Sequence, residues 1–167
     1  MQKVYVAPVA NHTYKAGIEN TVYNSLLRTL KAHGRVTLVH HPVEADAILG
    51  GSVVGAAYGA SAATAVSQLN PNKLGATLPT ANFSVATEYT ASLSCIFNLT
   101  RRVGQPGKPA VIWASSFGRS QPFPASNQLD VPGTTSALIN DSEFDRALSD
   151  LAKSMMDDVH ESMLAMF

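Results

Sequence analysis

Cysteine is almost missing from this chain: Cys95 is the only one in 167 residues, so no disulfide can form within it. Lying in an apolar stretch, it reads as a small buried hydrophobe. Charge is also sparse. Only 14% of residues are charged, and 12 basic residues offset 12 acidic ones, for a formal net charge of zero. A chain without basic excess lacks the positive field that non-specific nucleic-acid binding needs, so no nucleic-acid partner is expected. No apolar run approaches the roughly 20 residues of a membrane-spanning helix. Glycine-rich phosphate loops, the G-x-G-x-x-G fingerprint and the G-x-S-x-G elbow are all missing. The cysteine has no histidine near it in sequence. His40 and His41 are adjacent, and on a strand they point to opposite faces, which prevents both from binding one ion. His12, His33 and His160 stand alone. Asp157 and Asp158 are the only directly adjacent carboxylates, and on a helix they sit about 100° apart. The expectation is therefore no catalytic residue, no metal site and no cofactor, and hence no enzyme.

What the chain does have is periodicity. A hydrophobic content of 46% over 167 residues suits one globular domain spanning 1–167. Residues 3–9 form an apolar first strand, with Pro8 near its end. A polar turn at 11–15 follows. Ile18, Val22, Leu26 and Leu30 then recur every four residues, with Tyr23 and Leu27 alongside, giving one apolar stripe on a helix over 17–33. Gly34 stands where a helix C-terminus calls for positive φ. Residues 36–40 alternate as a strand, Glu44-Ala45-Asp46 is a turn, and 47–54 is a third apolar run. The stretch 55–85 is rich in Ala, Ser, Thr, Gly and Asn. It reads as strand extensions meeting in a long irregular excursion, with a short helix conceivable at 60–69.

Residues 86–100 alternate over their whole length. Tyr89, Ala91, Leu93, Cys95, Phe97 and Leu99 share the face expected to meet the core. A basic hairpin loop, 101–108, leads into a partner strand at 110–118, and pairing of these two strands is the firmest long-range expectation. Prolines at 122, 124 and 132 argue against a helix in 121–138. Asn140, with Glu143 three positions on, reads as an N-cap. After it Phe144, Leu148, Leu151, Met155, Val159 and Met163 form the stripe of a last helix ending near 164. The whole predicts an α+β fold: two amphipathic helices packed on one face of a mixed four- to five-stranded sheet, order β-α-β-β-β-β-α. The other sheet face is left to water or a partner.

Several short segments carry a resemblance. Asn11-His12-Thr13 after the first strand, Gly17-Ile18-Glu19 at the helix start and Gly34-Arg35-Val36-Thr37-Leu38-Val39 after it come in order. They are followed by Glu44 to Leu49 with Gly51, and by Glu88-Tyr89 opening the long strand. In this order and spacing the chain resembles the LptE family of outer-membrane lipopolysaccharide-assembly lipoproteins, over roughly two thirds of its length. The resemblance implies a periplasm-facing lipoprotein that sits inside an LptD-like β-barrel, assists its assembly and binds lipopolysaccharide without turnover. It also implies an outer-membrane anchor through a lipidated cysteine upstream. Since the chain enters its first strand almost at Met1, a trimmed N-terminus is expected. Family members carry basic residues just before the Glu-Tyr strand. Here Ala81-Asn82-Phe83-Ser84 stand there, so glycolipid binding is not carried over to that position.

The basic residues available instead are Arg101, Arg102 and Lys108 in the hairpin loop, with Arg119 at the far end of the partner strand. On an open sheet face, guanidinium and ammonium groups would pair with the phosphates of a glycolipid. These four residues are the candidate ligand-binding set. A second reading is a periplasmic regulatory or secretion-channel lipoprotein with a similar strand–helix–strand start. The second half of the chain, with its long strand, basic hairpin, Trp-containing strand and terminal helix, favours the first.

Overall fold

The structure, a computed structural model, describes residues 3–67, 82–101, 110–126 and 135–165. In chain order the elements are β1 (Lys3–Val6), β2 (Ala10–Asn11), α1 (Ile18–His33), β3 (Thr37–Val39), a 3-10 turn (Pro42–Glu44), β4 (Ala47–Ser67), β5 (Asn82–Arg101), β6 (Ala110–Pro124) and α2 (Thr135–Leu164). The expected α+β architecture of two helices on a mixed sheet is present, with one strand more than anticipated. The sheet order is β3-β1-β4-β5-β6, with β2 also pairing β4. β1 lies parallel to β3 and β4, whereas β4–β5 and β5–β6 are antiparallel.

Each motif of the N-terminal half has a physical task. The expected first strand is split: beyond Val6 the chain stays on β4 through Ala7 N–H to Leu49 O (2.9 Å), passes exposed Pro8, and rejoins it as β2. Asp46 pins the opening of both strands, its backbone N–H donating to Lys3 O (2.8 Å) and its carboxylate accepting from Lys3 N–H (2.9 Å). α1 begins after Gly17 at φ 87° and ends at Gly34 at φ 61°, both in the left-handed region that glycine adopts readily. The Gly34 N–H reaches back to Leu30 O at 3.3 Å.

Both helices lie on the same side of the sheet, as expected. Val22, Leu26 and Leu30 of α1 and Leu148, Leu151, Met155, Met156 and Met163 of α2 are fully or almost fully buried. They meet Leu49 and Val53 of β4 and Leu93, Cys95, Phe97 and Leu99 of β5 in one core. Side chains of this size contribute about 1.5–3 kcal/mol each on burial, which makes this core the main source of stability. α2 is further tied to β6: Trp113 Nε1–H donates to Ser162 Oγ (3.2 Å), and Arg119 Nε–H donates to Asp158 (2.9 Å).

Three boundaries differ from the sequence reading. β4 and β5 continue as strands through 55–67 and 82–85, so the expected helix at 60–69 is strand wherever the structure describes it. The remaining expected excursion, 68–81, lies outside the described residues. Aromatic contacts among Tyr58, Tyr89, Phe123 and Phe144, with Tyr58–Phe144 centroids 4.7 Å apart, close that end of the core. Beyond Tyr58 the β4 residues 59–64 are exposed: the two strands go on as a ribbon without helix cover. β6 runs six residues past Gly118, through Pro122 and Pro124. α2 starts five residues before Asn140, which is therefore no N-cap. Asn140 is 7% exposed inside the helix, and its Oδ1 accepts the Ser126 N–H at 2.8 Å, fixing the entry to the helix.

Candidate functional site

The Asn-x-Thr turn and the Gly-Ile-Glu helix start are one hydrogen-bonded unit. Asn11 Oδ1 accepts from Thr13 N–H and Thr13 Oγ1–H, both at 2.8 Å. Its Nδ2 donates to Lys15 O (2.9 Å) and to Glu19 Oε2 (2.7 Å), stapling β2 to the first turn of α1. Only an amide side chain both accepts and donates in this way. The turn then presents Lys15 to α2, where its Nζ meets Asp145 (2.7 Å) and Asp141 (3.0 Å) and lies 5.4 Å from the Phe144 ring centroid. Desolvation pulls the Lys15 pKa down, but the two carboxylates outweigh it and hold the ammonium above its usual range. These motif residues hold the fold together at a cleft of about 240 Å³ lined by Lys15, Gly17, Thr21 and Asp145.

Of the four basic candidates the structure describes two, Arg101 and Arg119, and these lie apart. Arg101 ends β5, exposed, opposite Ala47 and Ala110. Arg102 and Lys108 lie outside the described residues. Arg119 is opposite Leu93, eight positions along β5 from Arg101, or about 26 Å at 3.3 Å per residue. It also shares the core parity of Leu93 and turns to the helix side, where Asp158 of α2 takes both its Nε and Nη2. The expectation that basic residues decorate the open sheet face is thus not how Arg119 sits. The open face carries little charge along β4 to β6, with Glu88 near one end of β5: Ser52, Ser92, Ser94 and Ser116 surround Ile96, which is 44% exposed, and Val54, which is 43% exposed. Asn98 lies across Gly50, whose missing side chain leaves room for it.

Sequence reading treated His33 and His160 as isolated, yet their rings meet at 4.0 Å between centroids, where the end of α1 crosses α2. His33 Nδ1 is 3.0 Å from Thr29 O. His160 is 2% exposed, and neither ring nitrogen has a partner among the described residues. Burial, with His33 and Arg35 nearby, lowers its pKa against the opposing pull of Glu161 and Asp157. No local pattern could have paired residues so far apart in the chain. Burial likewise pushes the Cys95 thiol up to about 12, as suits the inert core residue expected of it. Among the described residues no three His, Cys, Asp or Glu side chains gather as metal ligands, and no helix is long and apolar enough to cross a membrane.

Fold and surface together define a class: an α+β domain with two helices on one side of a sheet whose other side is open and sparsely charged. Solved structures of this type include the protein CT253 from Chlamydia trachomatis (12% identity, TM-score 0.56, covering 98% of both chains). A PelC dodecamer from Paraburkholderia phytofirmans is similar as well (16% identity, TM-score 0.50, 95% of this chain and 84% of that one). So is the rare lipoprotein B from Shewanella oneidensis (14% identity, TM-score 0.50, 96% and 94%). At these identities the likeness concerns the fold. No curated protein sequence matches the chain. The family is settled by sequence: residues 1–163 match the LptE model, described as lipopolysaccharide-assembly, and the chain belongs to that family.

Proposed function

We propose that this protein is a periplasm-facing outer-membrane lipoprotein that assembles with an LptD-like β-barrel and binds lipopolysaccharide on its way to the cell surface. The reading rests above all on the family match over 1–163. The family is non-enzymatic, so the mechanism is one of shape and non-covalent contact. The surface is compatible with it. A neutral chain with a sheet face of Ser, Thr, Asn and small apolar residues suits the polar interior of a wide barrel, where a strongly charged plug would leave unpaired charges. Arg101, Arg102 and Lys108 are the proposed phosphate contacts. Arg119 would join them only by exchanging the Asp158 carboxylate for a lipid phosphate.

The partner is tested by co-purifying the full-length lipidated protein with its membrane: recovery of a large β-barrel supports the reading, and its absence overturns it. Glycolipid binding is tested by replacing Arg101, Arg102 and Lys108 with Ala. Lipopolysaccharide binding should weaken, the wild type should lose affinity as salt rises, and the melting temperature should move little, because exposed charges contribute about 0–1 kcal/mol each. Wild-type affinity without salt dependence in the triple variant would remove these residues from the binding surface.

A further inference from the structure

From Ala114 to Ser120 the outer edge of β6 is a strand edge that no described residue pairs with. Its polarity follows from one bond beyond the strand: Ala125 N–H donates to Thr87 O at 3.1 Å, so Thr87 and Ala125 form a hydrogen-bonded antiparallel pair. Alternation along the ladder then turns the N–H and C=O groups of residues 124, 122, 120, 118, 116 and 114 away from β5. Pro122 and Pro124 fall on two of those positions, where a missing N–H breaks no bond, and this explains how β6 continues through both. The other four, Ala114, Ser116, Gly118 and Ser120, present main-chain donors and acceptors outward, and no described residue bonds to them.

Strand edges are ordinarily blunted by charge, proline or bulges. The free edge of β4 beyond β2 is interrupted by register shifts at Val53/Gly55, Ala60/Ala62 and Ala62/Ala63. β6 has an uninterrupted register from Trp113 to Pro124, and its one charge in that span, Arg119, is turned to the helix side and neutralised by Asp158.

We propose that this edge is a docking surface for β6 of a second copy of the chain, paired antiparallel about a two-fold axis at Phe117. The strand is self-complementary about that point. Ser116 would pair with Gly118 and Ala114 with Ser120, each pair exchanging two main-chain hydrogen bonds, with only small side chains on the open face. On the helix side Arg119 would face Ser115, so like charges do not meet, and the two Phe117 rings would adjoin. Pro122 of each copy would end the ladder, so the contact is closed by its own symmetry rather than open to further addition.

The test is the mass of the isolated protein in solution as a function of concentration, by light scattering. A dimer is expected, and Ser116→Pro should weaken it at least tenfold while leaving the circular dichroism and melting temperature near wild type, because the removed N–H points away from β5. Ser116→Lys should act in the same direction through charge. Mild oxidation should link Phe117→Cys chains into dimers, as the two-fold axis brings those positions directly opposite, but should not link Ser115→Cys chains. A monomer at every concentration, a dimer indifferent to Ser116→Pro, or equal cross-linking at both positions overturns the proposal. A monomer would leave the edge to a strand of a different protein.

Discussion

Gly51 is the sharpest test of the packing described here. Its backbone is ordinary extended strand, so an alanine there meets no conformational strain, and on chain entropy alone Gly51→Ala should stabilise by about 0.5–1 kcal/mol. The structure gives the opposite sign. A Cβ at Gly51 would stand 2.6 Å from Phe97 Cε1 and 2.7 Å from Cδ1, with Val9 Cγ2 at 3.6 Å. Relief requires the Phe97 ring to withdraw by about 1 Å from a position where carbon contacts belong at 3.5–4.0 Å. Phe97 is fully buried, with Phe117 at 6.3 Å between centroids, so the ring has little room to move. Overpacking of this kind costs about 1–3 kcal/mol, leaving a net loss of roughly 0.5–2 kcal/mol after the entropic gain. At 2–4 °C per kcal/mol for a chain of this size, the melting temperature should fall by about 1–8 °C.

Thermal unfolding of four proteins decides the matter: wild type, Gly51→Ala, Phe97→Leu and the double variant. Phe97→Leu alone destabilises, but on its background Gly51→Ala should be neutral or favourable, a coupling of about 1 kcal/mol or more. Gly59, with nothing within 4 Å of its missing Cβ, is the control, and its alanine variant should be neutral to slightly stabilising. A Gly51→Ala protein as stable as wild type, or strict additivity with Phe97→Leu, would refute the account.

Three further outcomes follow from the same core. Leu151→Asp should cost about 3–5 kcal/mol or more, because Leu151 is 3% exposed mid-stripe on α2 and a carboxylate there has no partner; an unchanged melting temperature would dismantle the helix-on-sheet packing. Stability should fall as pH drops below 6.5, the ordinary histidine value. There the unfolded chain protonates while buried His160, with its lowered pKa, does not, and the loss should level off at the folded-state pKa. His160→Phe should flatten this part of the profile, and an identical slope in the variant would acquit His160. Cys95, fully buried with its thiol pushed up to about 12, should resist alkylation in the native protein and react on unfolding; rapid native modification would contradict its place in the core.

The sequence by itself determined the two helices, their buried stripes and the pairing of β5 with β6. Each of these has one covered face and one wet face, and that asymmetry is written as a local period of 3.6 or 2. It also carried the family, through turn residues whose order is local. Tertiary structure alone decided what lacks such asymmetry. Residues 59–64 have no apolar period because no described helix covers them, and their strand conformation comes from pairing with β5. Pro122 argued against a helix, but only the ladder, by placing its nitrogen on the outer edge of β6, made room for it in a strand. Asn140 has the chemistry of a cap, yet it sits within α2 because Ser126 arrives to use its side-chain oxygen. Arg119 looked free for a ligand until Asp158, 39 residues on, was brought beside it. The contact of the His33 ring with His160 depends on how α1 crosses α2. In each case the deciding partner lies across the sheet or between the helices, and a short window of sequence contains only one side of the contact.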